Sequence, residues 1–176
     1  MDKTSFPILY ISILLLLLVS AAFFIFQQVL KTRRVESALS RLQSKLSKEK
    51  GTAEEHYELG SILLDKRLFT QAIAQFQKAL KLETLEGLDL AAVQNAMGFA
   101  YFAQEQYDLA IRNYKEALKV APDYVTALNN LGHAYERKQL AAPALEAYDQ
   151  ALSIDPNNVT AKRRSESLRK RLVTSA

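Results

Sequence analysis

The sequence has no cysteine. Disulfides, thiolate metal sites and cysteine nucleophiles are therefore excluded, and the chain fits a reducing compartment. Histidine is almost as scarce. His56 and His133 are the only two, and neither has a second histidine or a carboxylate pair at metal-ligand spacing. There is no GxSxG elbow, no Walker A loop and no Rossmann glycine run. These absences point away from an enzyme and from any resident metal or cofactor. Glycine and proline are sparse too, five and four in number, so each one present is informative about where a helix stops or touches a neighbour.

What is abundant is unevenly spread. Residues 6–26, FPILYISILLLLLVSAAFFIF, carry no charge over 21 positions. A helix rising about 1.5 Å per residue would span roughly 30 Å over this run, the depth of a bilayer's hydrocarbon core. Pro7 falls in its first turn, where a missing N–H does no harm. Val19-Ser20-Ala21 has the small-residue pattern of a signal-peptide cleavage site. Against cleavage, the apolar core is longer than an ordinary signal core, it continues through FFIF, and only Asp2 and Lys3 precede it as charges. A retained anchor over 6–30 is the better reading. Lys3 alone lies before it, whereas Lys31, Arg33, Arg34, Arg41, Lys45, Lys48 and Lys50 follow. The rest of the chain is then expected on the cytoplasmic side or its organellar equivalent, with residues 1–5 across the membrane.

The net charge of +4 conceals three zones. Residues 31–52 sum to +5, residues 53–156 to −6, and residues 157–176 to +5. In the first zone Val35, Leu39, Leu42 and Leu46 recur at helical spacing, which predicts an amphipathic stem ending near Glu49-Lys50-Gly51-Thr52. Lys31, Arg33 and Arg34 stand next to the anchor, where each basic residue gains about 1 kcal/mol from anionic headgroups. The same residues also serve as the flank that sets orientation.

The middle zone repeats. Gly98 and Gly132 are 34 residues apart, and Gly60 stands 38 before Gly98. Leu59, Met97 and Leu131 precede the three glycines, and Leu63, Tyr101 and Tyr135 follow each by three. Ala72, Ala110 and Ala144 follow by twelve, Phe76, Tyr114 and Tyr148 by sixteen, and Ala79, Ala117 and Ala151 by nineteen. Pro122 and Pro156 close the second and third units; the first has Thr84 instead, and its four extra residues read as a longer turn in ETLEGLDL. This pattern resembles the tetratricopeptide repeat, a helix–turn–helix unit of about 34 residues that stacks into a solenoid. The predicted fold is all-α: an N-terminal transmembrane helix, then three repeats at about 53–90, 91–124 and 125–158 within 53–156, then a basic capping helix and tail at 157–176.

Packing expectations follow. Gly132 with Ala144, Gly98 with Ala110 and Gly60 with Ala72 leave room for a partner backbone where two helices cross, while Tyr101, Tyr107 and Tyr114 fill the layers around the second crossing. Asp123 and Asn157 are expected to cap the helices after the prolines. His56 reads as a half-buried core residue. Pro143 sits near the start of a helix, where it is tolerated. Ala141 replaces the aromatic of the other units, Phe69 and Tyr107, so packing should be looser there. Val159, Ala161, Leu168 and Leu172 are expected to cover the last unit, with the basic residues of 162–171 facing water. The alternative use of that basic stretch, nucleic-acid binding, is disfavoured by the acidic body.

The family resemblance implies a protein-binding groove on the first helix of each unit. Carried over, its positions give Tyr57, Ser61 and Leu64, then Asn95, Phe99 and Phe102, then Asn129 and His133, with Glu136 and Arg137 beyond. Phe99 and Phe102 should point away from the crossing, and exposed aromatics on a concave face suggest a partner. Asn95 and Asn129 could hydrogen-bond a partner backbone. A chaperone-docking clamp would need lysine or arginine at positions that here are Tyr57, Ser61, Ala96, Thr126 and Asn130, so chaperone tails are disfavoured.

The chain also resembles, over roughly its full length, the small anchored tetratricopeptide proteins of cyanobacteria and algal plastids involved in photosystem I assembly. The strings that carry this are KTRRVESALSRLQ, YELGSILLDKRLFTQAIAQFQKALK, GFAYFAQEQYDLAIRNYKEAL and ALNNLGHAYERKQL. The resemblance implies a single-pass thylakoid protein with its repeats on the stromal or cytoplasmic face, holding photosystem I subunits or intermediates and catalysing nothing. No serine-rich, acid-poor leader precedes the anchor, so a plastid version is expected to be plastid-encoded. The residues alone also suit a generic bacterial membrane-anchored adaptor in envelope or secretion machinery.

Overall fold

The computed structural model describes residues 5–174, with side chains from Tyr10 to Val173. The expected N-terminal segment with Lys3, and the last residues of the tail, lie outside the described residues. Within them the chain is helical throughout and forms two units.

The first unit is one helix, α1 (Ser5–Lys48). Its Tyr10–Lys48 portion meets the length and hydropathy expected of a membrane-crossing helix. Two of its hydroxyls bond back to the helix: that of Ser20 donates to the Leu17 carbonyl at 2.8 Å, and that of Thr32 to the Gln28 carbonyl at 2.9 Å.

The second unit holds seven helices: α2 (Ala53–Asp65), α3 (Phe69–Lys81), α4 (Gly87–Ala103), α5 (Tyr107–Val120), α6 (Val125–Arg137), α7 (Ala141–Ile154) and α8 (Val159–Thr174). Thr52 starts α2 with a capping box. Its hydroxyl accepts from the Glu55 N–H at 3.3 Å, and its own N–H donates to the Glu55 carboxylate at 3.1 Å. Thr52→Ala should lower unfolding free energy by about 1 kcal/mol in a denaturant titration.

The hairpins α2–α3, α4–α5 and α6–α7 use one turn. Arg67, Glu105 and Gln139, each seven residues after its unit's glycine, adopt φ of 62°, 60° and 60°. The next N–H reaches back five residues each time: Leu68 to Leu63 at 2.9 Å, Gln106 to Tyr101 at 3.0 Å, Leu140 to Tyr135 at 2.9 Å. This closes the first helix with a left-handed residue that is not glycine, at roughly 1–2 kcal/mol per turn. The turn geometry therefore repeats even where its residues do not.

Each second helix also packs on the next first helix. Ala110 and Tyr114 cluster with Leu131, Ala134 and Ala147, while Leu128, Ala144, Tyr148 and Ala151 cluster with Ala161 and Leu168 of α8. The glycines lie buried at these hairpins, and the nearest group each admits is an aromatic ring. A Cβ on Gly132 would lie 2.6 Å from the Tyr148 ring, one on Gly98 2.7 Å from Tyr114, and one on Gly60 2.5 Å from Phe76. The nearest neighbour is the aromatic sixteen residues on, and at Gly98 the Ala110 carbonyl would also be close, at 3.2 Å.

Three expectations are corrected. The four extra residues between the first two units mostly form helix, because α4 starts eleven residues before its glycine whereas α2 and α6 start seven before theirs. Asp123 caps nothing: Tyr124 holds the N-cap place of α6 without a side-chain bond, and Asn158, not Asn157, caps α8 by accepting from the Ala161 N–H at 2.9 Å. In α8, Ala161 and Leu168 are buried as expected, but Val159 and Leu172 are 77% and 42% exposed. The arginines expected to face water do part of the fastening, as described below.

A candidate protein-binding groove

The first helices line one face because α4 and α6 are tied side by side. The Asn130 side-chain amide donates to the Asn95 side-chain oxygen at 2.9 Å, and the Phe102 and His133 rings lie 4.6 Å apart. Asn95 also hydrogen-bonds the hydroxyl of Tyr124, which stands just ahead of α6. Burial, with Tyr57 and against the Asn95 bond, pushes the Tyr124 hydroxyl above its ordinary pKa. The face therefore has an aromatic and amide floor.

The expected groove residues divide into free and engaged. Phe99 is 45% exposed and Leu64 half-buried. Phe102 is half-buried, wedged between Tyr107 at 5.4 Å and His133 at 4.6 Å. Tyr57 leans on Phe76 at 5.9 Å, and the Ser61 hydroxyl donates to the Tyr57 carbonyl at 2.9 Å. Asn129 donates to the Asn158 side chain at 3.2 Å, while its own side-chain oxygen is buried without a hydrogen bond. Burial, then Arg164, hold the His133 pKa below its usual value despite Glu136, so the ring is neutral at pH 7. His56 lies outside the groove, buried and paired with Gln75 at 2.9 Å.

Two features escaped the sequence. Tyr124 is one; its only signal is its place two residues after Pro122, matching Asn158 after Pro156. The other is a junction at Glu136. One oxygen accepts from the Tyr148 hydroxyl at 2.6 Å and from Arg164 at 3.3 Å, and the other from Arg171 at 3.1 Å. Burial pushes the Glu136 carboxyl up, but the Tyr148 bond and the Arg164 and Arg171 guanidinium groups outweigh it and hold the pKa low. The buried Tyr148 hydroxyl is pushed up by desolvation and by Glu136. Arg169 grips Asp149 at 2.6 Å, which adds an outer tie from α8 to α7.

Patterns of the tetratricopeptide repeat match residues 53–84, 98–139 and 125–158. The chain is 38% identical over 123 residues to the protein ycf37 of Cyanophora paradoxa, covering 70% of each chain. It is 39% identical to ycf37 of Guillardia theta over 123 residues and 69% of each. The chain belongs to the ycf37 family. The chloroplastic tetratricopeptide repeat domain-containing protein PYG7 of Arabidopsis thaliana is 35% identical over 127 residues, 72% of this chain but 42% of that longer one. Among solved structures, MamA superposes with a TM-score of 0.73 at 23% identity over 80% of each chain, a likeness of fold alone. Repeats of this kind are protein-binding scaffolds, and that is the function the ycf37-family chain shares with the wider repeat class.

Proposed function

We propose that this chain is a membrane-tethered, non-catalytic scaffold that holds photosystem I subunits during assembly at the thylakoid membrane. In this reading residues 6–30 cross the bilayer, Lys31, Arg33 and Arg34 meet anionic headgroups, and the repeats lie on the stromal or cytoplasmic side. The chloroplastic PYG7 relative supports a plastid setting, and the strings around the stem and repeats support the photosystem role. The observation that carries the binding function is Phe99, exposed on a face otherwise filled by engaged amides and packed aromatics. Tyr57, Leu64, Asn95 and Asn129 shape the face around it, and Phe102 and His133 hold it rigid.

The test is a pull-down from native membranes. Phe99→Ala should cut recovery of photosystem I subunits about tenfold, the loss of one aromatic anchor, with no change in melting temperature. Phe102→Ala should lower recovery and also melting temperature, because its ring packs on Tyr107 and His133. Unchanged recovery with Phe99→Ala would remove the groove from the binding site.

A further inference from the structure

The third unit lacks a ring that the others have. Phe69 and Tyr107 stand nine residues after their glycines, and the third unit places Ala141 there. In the second unit the Tyr107 ring meets Phe102 at 5.4 Å and lies under the Arg137 guanidinium at 5.1 Å. Arg137 also pairs with Glu105 at 3.6 Å. Shifting by the repeat length of 34 carries Phe102, Glu105, Tyr107 and Arg137 onto Glu136, Gln139, Ala141 and Arg171. Those four residues, with Leu168 and Leu172, line an open cleft of about 410 Å³ between α6, α7 and α8. The cation that covers a ring in the second unit is thus repeated in the third without the ring.

We infer that this cleft receives an aromatic side chain from a bound protein, seated at Ala141 against Leu168 and Leu172 and covered by Arg171. The occupant is specified by the molecule's own repeat: the same wall, one unit earlier, is closed by a tyrosine. Ring and guanidinium attract through the ring's negative face, whereas an aliphatic side chain would fill the volume without that attraction. The cleft is distinct from the surface around Phe99 and does not depend on which complex the chain serves.

The probe is acetyl-Gly-Ser-Trp-Ser-Gly-amide, followed by tryptophan anisotropy as full-length protein in detergent micelles is titrated in, with empty micelles subtracted. The protein has no tryptophan, so the signal belongs to the probe. Wild type should give a saturable rise. Ala141→Tyr, which supplies the ring internally, should weaken binding at least about tenfold while melting at or above the wild-type temperature. Arg171→Ala should weaken it about threefold, the loss of one exposed cation–π contact. The leucine analogue of the probe should compete poorly. Equal binding by wild type and a folded Ala141→Tyr overturns the inference. Should Ala141→Tyr fail to fold, unchanged affinity in Arg171→Ala together with full competition by the leucine analogue overturns it equally.

Discussion

Gly132→Ala is expected to destabilise the repeats, although alanine is the better helix former by about 1 kcal/mol. The added Cβ would stand 2.6 Å from the Tyr148 ring, 2.8 Å from the next ring atom and 2.9 Å from a third. The ring has nowhere to retreat. Tyr148 is fully buried, and its hydroxyl is fixed on Glu136 at 2.6 Å. Overpacking of this kind costs about 1–3 kcal/mol, so with the propensity gain of about 1 kcal/mol subtracted the clash should leave a net loss of up to about 2 kcal/mol. Gly132→Leu adds three more carbons to the same contact and should lose about 4 kcal/mol or more, a large part of the 5–15 kcal/mol of a typical domain. Urea titration followed by circular dichroism measures both. A Tyr148→Leu background should soften the Gly132→Ala penalty, because the ring is the obstacle. An alanine variant that is more stable by the full propensity difference would mean that the hairpin is not nested on this ring.

The 34-residue register made the three hairpins legible, because glycine, alanine and aromatic recur together on helical faces. Periodicity says which residues share a face, but not which side chain reaches across. Hence the Gly132 and Ala144 pair is legible as a crossing, but the sequence does not show that the Tyr148 ring is what lies nearest Gly132. The segment GLDL has neither a strong stop nor a strong cap, and sequence alone could not separate a long turn from an added helical turn at the start of α4. Capping failed by one residue after both prolines, since the chain needs that extra residue to turn before α6 and α8 begin. In the groove, Phe99 was readable because a large apolar residue sat on a face facing away from the hairpin. Phe102 shares that face but is claimed by Tyr107 and His133. The cation-rich α8 read as a solvated surface because the partners of Arg164 and Arg171 converge on Glu136, which lies 28 and 35 residues away in sequence.

That junction carries the other large effect. Glu136→Ala should cost about 3 kcal/mol, because it removes the acceptor of two donors that are wholly or partly buried, Tyr148 and Arg164, and the ion pair to the more exposed Arg171. The Tyr148 hydroxyl is left inside the protein, and Arg164, whose side chain is 29% exposed, loses the carboxylate that offsets its partial burial. Tyr148→Phe removes one donor and keeps the packing, so it should cost only about 1 kcal/mol. Acid separates the carboxylate from a merely polar group. The folded-state pKa of Glu136 is depressed, so its contribution is present above the unfolded carboxylate range near pH 4.3 and is lost as pH falls through the folded value. His133, facing Arg164, Glu136 and Arg137, also has a depressed pKa. Its contribution is present above about pH 6.5 and fades as pH falls below that, in a separate window. Because Glu136 itself raises the His133 pKa, the comparison is made with His133→Asn in both proteins; stability with Glu136 minus that with Glu136→Gln should then be constant from about pH 5 to 8 and shrink below about pH 4. If that difference instead stays level down to about pH 3, the two arginines are not held by a charge at Glu136, and the fastening of α8 to the last hairpin rests on other contacts, among them Ala161, Leu168 and the Arg169–Asp149 pair.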